Sequence, residues 1–257
     1  MMHSSLPSLA TSAVFARQVR RPRERYRGGF ERYLPPTGLP GTVTYCTRNP
    51  LHLAPLYPSL FRCCVQLCSQ LSEEEDFSGS TALVCVYDST RHRVTVAVAG
   101  DSAAVLSRGG RAVLLTEQHR LSNKAERERV EARGGKVINS RVNGVLAVSR
   151  AMGDVQFKAP IPASKNMTDW PESLVSAVPD VKHEVITPMS EFLVLATDGV
   201  WDVMQPQDAV DLVRQAIIRY KDIQRAAKEL AREALHRGSV DNVSVIILVF
   251  GGEVAKG

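Results

Sequence analysis

None of the five cysteines in this 257-residue chain is paired with another at C-x-x-C spacing, and their count is odd. That excludes the usual redox and zinc-ribbon spacings and argues against a disulfide framework, which suits a reducing compartment. Long apolar runs are missing as well. None approaches the ~18 residues a membrane-spanning helix needs, so no span is expected. There is no internal repeat. Acid is absent from the first 23 residues, which hold four arginines and several serines. This is the composition of either an irregular basic tail or an organellar transit peptide. The expected location is intracellular, in cytosol or nucleus, with mitochondrion or plastid as the alternative.

What is present suits one sizeable core. Hydrophobic residues make up 44% of the chain and charged residues 23%, close to globular averages. The net charge of +5 is local. Residues 1–33 hold seven arginines against Glu24 and Glu31, which accounts for all of it, so the rest is neutral overall. The basic balance therefore belongs to a tail, and no nucleic-acid partner is expected.

Residues 1–58 read as an irregular, Arg- and Pro-rich tail in which only "GTVTYC" (41–46) could supply a short strand. Order is expected over residues 59–251, with 252–257 a second tail. "SLFRCCVQLCSQL" (59–71) is helical by period, which makes Cys63, Cys64 and Cys68 buried thiols. "TALVCVY" (81–87) and "HRVTVAVAG" (92–100) read as a hairpin, and "AAVLSRGGRAVLLT" (103–116) as a second, turned by Gly109-Gly110. "NKAERERVEARGG" (123–135) reads as a charged helix with a solvated Glu/Arg face. "GVLAVSR" (144–150) is expected to be a strand and 155–180 a loop. Two helices, "PQDAVDLVRQAIIRY" and "DIQRAAKELAREALHRG", precede a last buried strand, "NVSVIILVF" (242–250). The pattern is α+β, with helices on antiparallel sheets.

The apolar run "FLVLA" (192–196) ends on Asp198 and, four residues later, Asp202. Asp101 ends another strand, and Asp241 stands before the last one. Strand ends can converge at one rim, and a helical turn would point Asp198 and Asp202 the same way. Two readings stay open. Aspartate is common in turns. Alternatively, carboxylates that meet without an intervening Lys or Arg need a hard cation, and oxygen-only ligands select Mg²⁺ or Mn²⁺ over zinc.

Six motifs carry a more specific signal: "SGSTA" (78–82), "AGDSAAVL" (99–106), "ERVEARGGKV" (128–137), "RVNGVLAVSRAMGD" (141–154), "FLVLATDGVWDVM" (192–204) and "RGSVDNVSVIILVF" (237–250). In this order they resemble the metal-dependent, type 2C (PPM-type) serine/threonine protein phosphatases over residues 60–250. The resemblance implies a four-layer αββα sandwich of two antiparallel sheets flanked by helix pairs. It implies Mg²⁺ or Mn²⁺ at the sheet edge, phosphorylated proteins as partners, and a monomer. Asp198 and Asp241 match ligands of one metal, Asp101 matches a carboxylate for a weaker third metal, and Asp202 lies beside it. His119 falls where the family has an Asp-His pair, with Gln118 in place of the acid, and is expected to be packed. Ser149 and Arg150 are expected to hold the loop near them in place. Gly79, Gly100 and Gly199 are expected to permit close backbone approach.

The chain departs from the family pattern upstream of Ser78. The phosphate-gripping Arg and the "D-G-H-G-G" strand end, with its metal-bridging Asp and general-acid His, have no counterpart. No catalytic residue is assigned, and the amino-terminal part is expected to be incomplete. The implied function is dephosphorylation of phosphoserine and phosphothreonine by metal-activated water. The alternative is a catalytically dead pseudophosphatase, or a truncated product, acting as a binding or scaffold module.

Overall fold

Antiparallel pairing accounts for every ladder in the computed structural model of the chain, which describes residues 11–19, 42–47, 71, 77–158 and 173–250. β1 (Thr11–Val19) and β2 (Thr42–Thr47) pair with each other. β3 (Gly79–Asp88) and β4 (Arg93–Ala99) form the expected hairpin. Asp88 closes it, its Oδ1 accepting from the N–H and hydroxyl of Thr90 and from Arg91 N–H. β5 (Ala103–Arg108) and β6 (Arg111–Leu114) form the second hairpin. Gly109 and Gly110 turn it at φ of 56° and 76°, the sign a tight primed turn requires.

After helix α1 (Lys124–Ala132) come the short pairs β7 (Val137–Ile138) with β8 (Arg141–Val142), and then β9 (Met152–Gly153). β10 (Asp180–Val185) and β11 (Ser190–Ala196) are next. The chain continues through the one-turn α2 (Asp198–Trp201), α3 (Pro206–Tyr220), α4 (Ile223–His236) and β12 (Val245–Val249). One sheet has the order β10-β4-β3-β1-β2, with β9 at one end of β3; the other has the order β12-β11-β5-β6.

Alternation along the inner strands builds two core layers. Ala104, Leu106, Leu193 and Leu195 face Leu83, Cys85, Val96 and Val98 of the other sheet. Val105, Phe192, Val194 and Ala196 point the opposite way, against Val210, Val213, Ile217, Leu230 and Ala234 of α3 and α4. Each buried Leu or Phe contributes roughly 1.5–3 kcal/mol, so this packing fixes the ends of β4 and β11 firmly. The α+β sandwich is the architecture expected. The helix read at 59–71, with Cys63, Cys64 and Cys68, lies outside the described residues save Leu71. Cys85 is a buried free thiol pushed up to about 12 by desolvation.

Two local expectations are corrected, and one strand was not foreseen. β1 lies within the stretch read as an irregular tail, where only 41–46 was expected to extend. It runs beside β3 over its whole length, Thr11 to Val19 against Tyr87 to Gly79. An open edge on β3 would leave a row of backbone donors and acceptors, and a ladder satisfies them whatever the local pattern of the incoming segment. "GVLAVSR" is not a strand. Asn143 and Gly144 turn at φ of 50° and 72°, and the residues beyond them make only isolated bridges, Val142 with Leu146, Arg120 with Val148 and Arg150 with Ser176. β10, by contrast, is a strand that no expectation covered. It pairs with β4 on its outer edge.

Candidate metal centre

Asp101 comes directly after Gly100 at the end of β4. Gly100 holds φ at 119°, and a Cβ there would run into the Thr81 side chain. The turn is clamped by its neighbours. Gly100 N–H donates to His119 Nδ1 at 3.0 Å, His119 N–H donates back to Gly100 O at 3.0 Å, and Gln118 Nε2 donates to Asp101 O at 2.8 Å. Asp101 is thereby held as a buried carboxylate, 5% exposed.

Asp198 is the first residue of α2, and Asp202 is its C-cap. The helical turn expected after β11 is therefore present, with both acids on it. Asp241 lies on the loop before β12, its Oδ1 accepting from Asn242 N–H at 2.6 Å. That loop is stitched to the end of β11. Thr197 hydroxyl donates to Asn242 O at 3.1 Å and accepts from Ser244 N–H at 3.1 Å. Gly199 allows the approach, since a Cβ there would sit 2.6 Å from Asn242 O. Asp198 and Asp241 thus belong to adjoining segments.

A cation the sequence reading overlooked stands among three of these acids. Arg120 Nε donates to Asp101 Oδ2 at 3.0 Å, its Nη1 lies 2.7 Å from Asp202 Oδ1, and its Nη2 lies 3.6 Å from Asp198 Oδ2. Burial lowers the Arg120 pKa, but the bond to Asp202 and the charge of Asp101 outweigh this and raise it, so the group stays charged. The condition under which the acids would need a hard cation, no Lys or Arg between them, is therefore not met in this arrangement. Three carboxylates thus share one guanidinium. The donor set, oxygen only, fits a hard divalent ion in kind. In this arrangement a guanidinium separates the acids, and among the described residues no three His, Cys, Asp or Glu side chains are grouped to hold one ion. Arg120 stands directly after the Gln118-His119 pair in the sequence, and that adjacency was the only signal for it.

Behind the rim lies a second charged cluster. Glu126, read as part of a solvated helix face, is 4% exposed. Ser149 hydroxyl lies 2.5 Å from its Oε2, Arg129 Nη2 donates to that oxygen at 3.1 Å, and Arg150 Nη2 donates to Oε1 at 2.6 Å. Burial would raise the Glu126 pKa, but the Arg150 and Ser149 hydrogen bonds and the two guanidinium charges bring it down to about 2. Arg150 Nη1 also reaches Asp180 Oδ1 at 2.6 Å. His119, 1% exposed, accepts at Nδ1 and so carries its proton on Nε2, which lies 3.0 Å from Asp180 Oδ2. That bond, with the Arg150 charge, lowers Asp180 to about 2. His119 is packed, as expected, and both of its nitrogens are engaged. Ser149 and Arg150 tie their loop to α1 and β10.

Comparisons with known proteins place the chain in a family. The family model described as Protein phosphatase 2C matches residues 64–243. Probable protein phosphatase 2C 2 of Oryza sativa subsp. japonica is 39% identical over 180 residues, 70% of this chain and 45% of that protein. Protein phosphatase 1B of Mus musculus is 40% identical over 182 residues, 71% and 45% respectively. The chain spans about half the length of the curated relatives it matches. Among solved structures, a C. elegans sex determining protein superposes with a TM-score of 0.70 at 30% identity, over 82% of this chain and 50% of that one. Serine-threonine phosphatase 2C from Toxoplasma gondii superposes with a TM-score of 0.59 at 25% identity, over 76% and 65%. The chain belongs to the protein phosphatase 2C family.

Proposed function

We propose that this chain acts in the hydrolysis of phosphoserine and phosphothreonine in proteins, with Mg²⁺ or Mn²⁺ held by Asp198 and Asp241 and with Asp101 and Asp202 beside them. The observation that carries this reading is the meeting of Asp101, Asp198 and Asp202 around Arg120 at the end of the packed strands. When bound, such an ion lowers the pKa of a coordinated water and neutralises charge on the phosphoryl oxygens. The chain's own residues supply the support. α2 carries Asp198 and Asp202 on one rigid turn, and the Gly100–His119 clamp holds Asp101. Arg120 does not grip phosphate in this arrangement, because its donors are spent on carboxylates that would repel an anion.

A second reading, phosphoprotein binding without turnover, is favoured by Arg120 standing among the acids. One experiment decides between them. The purified chain is given a phosphoserine peptide with Mn²⁺, alongside Asp198→Ala, and phosphate release and peptide binding are both measured. Release above the Asp198→Ala background supports hydrolysis. Binding without release supports the second reading, and neither one removes both.

A further inference from the structure

Resting on the proposed metal site, the geometry points to a role for Arg120: we infer that its guanidinium is a tethered counterion that a divalent ion must displace, so that Arg120 sets the metal affinity of the site. Its three contacts use Oδ2 of Asp101, Oδ2 of Asp198 and Oδ1 of Asp202. A divalent ion held by these acids would compete with the guanidinium for them, and two cations close together repel. Planar and permanently charged, an arginine can hold three acids that a compact ammonium could not span at once.

The backbone of Arg120 is anchored independently of its side chain. His119 N–H bonds Gly100 O, Asn123 N–H bonds Arg120 O at 2.9 Å, and Arg120 forms a bridge with Val148. The guanidinium, 30% exposed, can swing outward without moving that anchor. In the metal-free chain it offsets the repulsion among three acids; with metal bound, that task passes to the ion. Arg120 is thus a positioning residue.

The test is calorimetric titration of the full chain with Mn²⁺, comparing the unaltered protein with Arg120→Gln, Arg120→Lys and Asp198→Ala. Thermal unfolding is followed in EDTA and in saturating Mn²⁺. Arg120→Gln is expected to bind Mn²⁺ roughly tenfold more tightly, within the usual range of coupling between two ligands. Its unfolding midpoint should fall in EDTA and recover in Mn²⁺. Arg120→Lys, which keeps a charge but loses the three-way fork, should show a smaller gain and remains informative if the glutamine variant does not fold. Equal or weaker Mn²⁺ binding in both variants, with the Asp198→Ala heat lost, overturns the counterion role and leaves the metal site standing. If the unaltered chain and both Arg120 variants give no Mn²⁺ heat, the metal site itself fails and the counterion role with it.

Discussion

Glu126 shows how much rests on a single side chain. Its two oxygens accept from Ser149, Arg129 and Arg150, and the two arginines are only 18% and 15% exposed. Glu126→Gln keeps the shape, removes the charge and leaves two guanidinium groups in a poorly hydrated site, with Asp180 and backbone carbonyls as their remaining partners. Breaking such a pair from one side costs about 3 kcal/mol, to be read from urea unfolding monitored by far-ultraviolet circular dichroism. A loss below ~1 kcal/mol would place the cluster with ordinary surface pairs. The same residue marks a limit of sequence reading. An i,i+4 charge pattern on a helix looks solvated unless the loop that covers it is known, and Ser149 and Arg150 lie more than 20 positions away. Arg120 escaped notice for the same reason, since its partners come from the β4–β5 turn and from α2. The aspartates were legible because an acid closing a buried strand is costly and therefore conspicuous.

Among the elements, α4 is the one whose sequence settles most. Ala226, Leu230 and Ala234 recur every four residues and meet α3 and the outer face of β11. Asp222 starts the helix by accepting Arg225 N–H at 3.0 Å. Leu230→Ala opens a cavity in a fully buried position and is expected to cost 2–5 kcal/mol by the usual range for such deletions (roughly, since collapse of the site varies). Asp222→Ala should cost about 1 kcal/mol. Thermal unfolding of both variants checks the order; a cap effect as large as the core effect would mean that α4 is held by local bonding rather than by packing. Elements of this kind, α3, α4 and the two hairpins, were legible because period, cap and turn residues lie inside them. β1 and β10 were not. Their pairing is decided by edges that β3 and β4 present, and no local pattern announces an edge. Residues 144–150 failed in the opposite sense: β-branched and apolar content suggested a strand, and the turn at Asn143-Gly144 redirected the chain into bridges.

For the whole molecule, the two charged clusters set a response to acid. Glu126 falls from 4.5 to about 2 on folding, and Asp180 from 3.8 to about 2. Above the unfolded values both states hold these groups ionised, and the stabilisation is fully present. As pH drops below about 5, the unfolded chain takes up protons first, so stability declines and continues to decline down to about 2. For Glu126 alone the linkage amounts to about 3 kcal/mol; Asp180, whose side chain is half exposed, adds less. Unfolding midpoints in EDTA should therefore be level from pH 7 to 5 and then fall steadily. Other carboxylates also protonate in this range, which is why the variant matters more than the parent. Glu126→Gln removes one titrating partner and must flatten the slope between pH 4.5 and 3, although it starts from a lower midpoint. Because α1, the 148–150 segment and β10 meet at these two acids, the loss should be cooperative, with near- and far-ultraviolet signals moving together. An unchanged slope in Glu126→Gln would mean that acid acts elsewhere in the molecule rather than through this buried cluster.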